Sequence, residues 1–75
     1  MTSFEIQSIL VANHAIARAE DAGVVVRGTI LSTAAQIADA SGFDRYTPLW
    51  MVAIKAAQRV LAAAVRAADR AAVSA

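Results

Sequence analysis

In residues 47–72, TPLWMVAIKAAQRVLAAAVRAADRAA, positions 48–72 read as one uninterrupted helix of about seven turns. Thr47 is placed to cap it, and Pro48 falls at the first helical position, where a missing N–H costs nothing. No Gly or further Pro follows, and Ala, the strongest helix former, is the commonest residue. Trp50, Ile54, Ala57, Leu61, Ala64, Ala68 and Ala71 recur at alternating steps of four and three, the spacing of a packed helix seam. Lys55, Arg59, Arg66 and Arg70 share another face, within about 60° of arc at roughly 100° per residue. One face of this helix requires a neighbour; another carries positive charge.

Immediately before it, Gly42 stops a preceding helix and Phe43-Asp-Arg-Tyr-Thr-Pro48 turns the chain. Phe43, Tyr46 and Trp50 cluster at that corner, where aromatic area can seal a small core. The preceding helix spans about residues 29–41, with Ile30, Leu31, Ala34, Ile37, Ala38 and Ser41 at helical spacing. Gly23-Val-Val-Val-Arg-Gly28 favours an extended segment, because three β-branched residues stand together. It has no strand partner in the chain, so residues 24–27 read as a connector or as an edge that pairs with a symmetry mate.

The first helix spans about residues 3–22. Thr2-x-x-Glu5 has the form of a capping box and Gly23 stands as the C-terminal stop. Its apolar stripe reads as Phe4 with Ile6, Ile9, Leu10, Ile16 and Ala17. Asn13 sits in that stripe, either as a polar group fixing register across an interface or as a residue at its edge. Glu20 and Asp21, and Asp39 at the end of the second helix, lie near helix C-termini, where acids oppose the dipole. Such acids call for nearby cations, and the basic stripe of the last helix is the obvious source.

Seventy-five residues make one domain, near the lower limit for a self-sufficient core. Of the apolar residues, 20 are Ala, which contribute helix propensity but little buried area. There is no Cys to supply a disulfide or a thiolate metal site. Missing burial of this kind is often found in a second copy, so a homo-oligomer is expected. The net charge of +1 hides an asymmetry. Glu5, Glu20, Asp21, Asp39 and Asp44 oppose Arg18 and Arg27 in the first 44 residues, whereas Arg45 and the four stripe cations oppose only Asp69 in the remainder.

Catalysis finds no constellation. His14 is the only His, so no ligand set for a metal is in view. The serines lack a G-x-S-x-G context, and the three glycines all stand at breaks, so no loop cradles a phosphate. No cofactor is expected and the chain reads as a non-enzyme. The N-terminus lacks the basic start and continuous apolar run of a signal peptide, and charges interrupt the longest apolar stretch. The expectation is a cytoplasmic protein with no integral membrane segment.

Ile37-Ala38-Asp39-Ala40-Ser41-Gly42-Phe43 resembles the turn of a helix-turn-helix: a small residue in the first helix, Gly four later, then an apolar residue. The sequence departs from it at Pro48, inside the would-be recognition helix, and at Leu49, Trp50, Met51 and Val52, which are apolar where base-reading side chains belong. The order from Val24 onward also resembles a ribbon-helix-helix repressor, although Val24-Val25-Val26 offers only Arg27 to the major groove. A third layout, cations on one face with Trp50, Leu49, Ile54 and Leu61 on another, is that of a helix lying on a membrane surface.

The expected fold is therefore all-α: two shorter helices on a long Ala-rich C-terminal helix, assembled as a helical homodimer or higher oligomer. The interaction seam is Trp50, Ile54, Ala57, Leu61, Ala64 and Ala68. The expected function is a non-catalytic protein–protein interaction module, such as a small regulator, inhibitor or assembly subunit. The alternative is a small DNA-binding regulator that uses the basic stripe.

Overall fold

A computed structural model describes residues 2–23 and 27–74, and the described residues form helices joined by turns and short connecting stretches, with no strand. Helix α1 runs Ser3–Asp21, α2 runs Ile30–Ala40 behind a short 3-10 turn at Arg27–Thr29, and α3 runs Pro48–Ser74. Residues 24–26, read as a possible strand, lie outside the described residues.

Local chemistry sets the ends. The Thr2 hydroxyl accepts from the Glu5 N–H at 3.1 Å, the N-cap half of the expected box. Gly23 and Gly42 follow α1 and α2 with φ of 74° and 90°, the left-handed conformation that closes a helix C-terminus. A Cβ at Gly42 would meet nothing within 4 Å, so only backbone conformation resists substitution there. Gly42→Ala should therefore cost about 1 kcal/mol, measurable by denaturant titration with an unchanged m-value. Pro48 opens α3 as expected, but Thr47 does not cap it with its side chain. The Thr47 hydroxyl donates backward to the Asp44 carbonyl at 2.6 Å, and the Thr47 carbonyl accepts from the Met51 N–H at 2.9 Å.

The helices run up, down, up. The end of α2 meets the start of α3, where the Trp50 Nε1–H donates to Asp39 Oδ1 at 3.0 Å. Arg27, before α2, pairs with Asp69 near the far end of α3. Phe4 of α1 shares a cavity wall with Pro48 and Leu49, so α1 and α3 start at the same end. Both shorter helices pack chiefly on α3 and little on each other.

The core holds Trp50, Ile54, Leu61, Val65 and Ile37, with alanines Ala15, Ala19, Ala34, Ala38, Ala53, Ala56 and Ala57 between them. Leu61 is the largest side chain that is fully buried. Met51, Ile54 and Gln58 face α2, which leaves the alanine flank of α3, Ala53 and Ala56 beside Val60, for α1. α1 offers Ala15 and Ala19 in return. Small residues on both sides let helix axes come close, toward the short end of the usual 8–10 Å range.

This packing revises the reading of α1. Its large aliphatics Ile6, Ile9 and Leu10 were expected in the core, yet they are about half exposed or more. α1 has two apolar faces, and the alanine face is the one that meets α3. Pro48–Val73 is long and apolar enough to cross a membrane by length and composition alone, with a mean hydropathy of 1.3. Here it is the central helix of the bundle, its apolar face covered by α1 and α2.

Candidate interaction surface

The expected seam divides at Leu61. Trp50, Ile54, Ala57 and Leu61 are buried within the chain, against its own first two helices. Ala64 is half-buried and Ala68 exposed, because α3 continues past the ends of its neighbours. A helix of 27 residues is about 40 Å long, whereas α1 with 19 reaches about 28 Å. The neighbour that the front of this face required is intramolecular.

The same packing covers residues of two other layouts. Leu49, Trp50, Met51 and Val52 are buried or half-buried, so the first turn of α3 is not free to enter a DNA groove. Trp50, Ile54 and Leu61 are likewise unavailable to a membrane surface, which removes the apolar half of that layout.

Lys55, Arg59, Arg66 and Arg70 project from α3 opposite the core, and all four are exposed. Among the described residues none of them forms an ion pair. The acids expected to neutralise them are elsewhere: Asp39 is engaged locally, and Glu20 and Asp21 make no ion pair among the described residues. Asp69, the one acid on α3, is held by Arg27. The result is a row of four unpaired cations about 22 Å long, at 1.5 Å of rise per residue.

Two of the three corner aromatics pack on each other. Tyr46 and Trp50 rings lie 5.2 Å apart with planes tilted by 54°. Phe43 packs against the core. Arg45 grips Asp39 with both arms of its guanidinium, Nε to Oδ1 at 3.1 Å and Nη2 to Oδ2 at 2.7 Å. The cation that Asp39 required at the end of α2 thus comes from the turn. Tyr46 itself has φ of 68°, a left-handed conformation that costs a bulky residue energy.

Arg45 first, and then the Trp50 N–H, hold the Asp39 carboxyl below its ordinary value. A folded-state value below the unfolded one means the clamp stabilises the protein above the unfolded value, about 3.9, and is lost as pH falls through the lower folded value. Asp39→Asn should lower the melting temperature by several degrees at pH 7. The gap to the parent should shrink below about pH 4 and close on further acidification, followed by thermal melts at stepped pH.

Between α2 and α3, on the side away from α1, lies an open groove of about 400 Å³ floored by Ala35, Met51 and Ile54 and edged by Lys55. Leu31 and Tyr46 stand at its rim, 62% and 79% exposed. A smaller hollow of about 220 Å³ follows along α3, between Ile30 and Val65, with Arg66 and Arg27 at its edge. The two hollows follow one another on the side of α3 next to the basic row, so apolar floor and positive edge run side by side. Neither hollow was evident in the sequence, because each joins residues from two helices. Asn13 lies on α1, exposed and remote from this groove. Among the described residues no three His, Asp or Glu side chains gather as a metal site would require.

No protein-family model, curated protein or solved structure matches the chain.

Proposed function

We propose that the protein is a non-catalytic interaction module, a small regulator, inhibitor or assembly subunit, that receives an amphipathic helix of a protein partner along the α2–α3 groove. The observation that carries this reading is the pairing of an apolar floor with an unpaired basic edge. A helix bearing aliphatic residues on one face and acids beside them would set the first on Met51, Ile54, Leu31 and Tyr46 and the second on Lys55, Arg59 and Arg66. Tyr46 fits an anchor's role: a rigid aromatic side chain, mostly solvent-facing, held against Trp50.

The second reading is a DNA-binding regulator, favoured by the row of cations alone. Four unpaired bases along one helix face could follow a phosphate backbone without reading its sequence.

The test is titration of isotope-labelled protein with an acidic, leucine-bearing helical peptide and, separately, with a short DNA duplex of arbitrary sequence. The peptide should shift the amide resonances of Leu31, Tyr46, Met51, Lys55 and Gln58. Lys55→Glu with Arg59→Glu should weaken it about tenfold or more while leaving the melting temperature near that of the parent, since neither cation is paired. Binding of the duplex alone, with affinity falling steeply as salt rises, would put the second reading in place of the first.

A further inference from the structure

The outer face of α1 carries an independent signal, which does not rest on the α2–α3 groove. Ile6, Ile9, Leu10, Asn13 and Ala17 fall within about 100° of arc on α1, at steps of three and four. All five are exposed, Leu10 to 64%. Ala15 and Ala19, on the opposite side, fix α1 to the bundle. A stripe of this kind is a helix seam lacking its partner helix. The accessible surface of the whole chain is 4958 Å², against about 4,400 Å² expected of a compact monomer of this mass. The uncovered end of α3 and this face of α1 both contribute to the excess, and two apolar helix faces set together approach the lower end of specific interfaces, about 1,200 Å² in total.

We infer that this face binds a second copy of the chain, with the two α1 helices side by side and antiparallel across a two-fold axis. Charge selects both the occupant and its direction. Glu20 and Asp21 are exposed at the C-terminal end of α1, where they oppose its dipole; Arg18 stands in the same turn but forms no ion pair with either among the described residues. In the antiparallel register that lays the stripe on itself, Ser3 stands opposite the partner's Glu20, Ile6 opposite the partner's Ala17, and Leu10 opposite the partner's Asn13. Each helix then brings its two C-terminal acids to the N-terminal end of the other, where the dipole is positive and Glu5 is the one acid in the first turn. A parallel pair would instead stack Glu20 on Glu20 and align both dipoles. Antiparallel pairing also sets the two Asn13 residues in adjacent layers beside the axis, polar groups in an otherwise apolar seam.

Sedimentation equilibrium of the pure, full chain should give twice the monomer mass. Leu10→Asp should return it to the monomer with its helical circular dichroism intact, because this residue is solvent-facing in the single chain. Direction is read by cross-linking, which the absence of native Cys makes clean. Ile6→Cys and Ala17→Cys proteins, mixed and oxidised, should yield chiefly the mixed disulfide. A parent that is monomeric at all concentrations, or a dimer that survives Leu10→Asp, overturns the interface. Like-with-like disulfides in place of the mixed one overturn the direction. Loss of binding at the α2–α3 groove bears on neither result, so failure of this inference and of the proposed function are separately visible.

Discussion

Leu61→Asp should leave no cooperatively folded protein. Leu61 has 0% exposure and sits in the cluster where all three helices meet. Truncation to Ala at such a site costs about 2–5 kcal/mol through lost burial and the cavity left behind. A carboxylate there must in addition be either desolvated or protonated, with no buried polar or charged residue among the described ones to pair with it. The whole stability of a 75-residue chain is about 4–11 kcal/mol. The combined loss is of that size. Far-ultraviolet circular dichroism should show the helical signal gone or the thermal transition abolished. A mutant that melts like the parent would mean Leu61 lies outside the core and α3 presents this face elsewhere.

Trp50→Ala should bring the second-largest loss, about 3–5 kcal/mol. Trp50 is buried at the α2–α3 junction, and its indole does two jobs there. The ring fills the corner beneath Tyr46, while the N–H ties Asp39, and through it Arg45, to the start of α3. Trp50→Phe separates them: it keeps most of the ring and removes the donor, so its cost should be a minor part of the Ala value. Urea titration of both variants against the parent gives the comparison. Equal losses would mean that the hydrogen bond, not the packing, holds the junction.

Much of this fold was legible in the sequence, for stated reasons. Thr2, Gly23, Gly42 and Pro48 mark helix ends because capping, positive φ and a missing N–H each restrict the residue types allowed. The α3 face holding Trp50, Ile54, Ala57 and Leu61 was legible as a seam from its spacing, but spacing says nothing about whether the neighbour belongs to the same chain. α1 was misread for a related reason. Both of its faces have helical periodicity, and transfer free energy favours burying Ile6, Ile9 and Leu10. The alanine face packs instead, since α3 offers it a matching alanine flank, a property of the pair and not of either helix. The Asp39–Arg45 clamp was out of reach too. It depends on the left-handed turn at Tyr46, which no local rule assigns to a tyrosine.

The candidate groove was partly legible. Lys55, Arg59, Arg66 and Arg70 were visible as a row from angle alone, but their lack of partners was not, since Asp39 and Asp69 are claimed by Arg45 and Arg27 from connecting segments. Leu31 and Tyr46 gained a role only when folding brought them to one rim.

The unequal helix lengths have a consequence for how the molecule breathes. Beyond Val65, residues 66–73 of α3 are all exposed, and the Arg27–Asp69 ion pair ties these two or so turns to the bundle at its surface. Alone, a segment that short would be coil, because starting a helix is costly. Here no start is required: the turns are added to a helix that the core has already wound, and alanine makes each addition favourable. Their amides should exchange with solvent far faster than those of residues 53–61, although both are helical. A molecule that docked on this end would find its binding element already shaped, yet able to unwind and rewind with the loss of one exposed ion pair to Arg27.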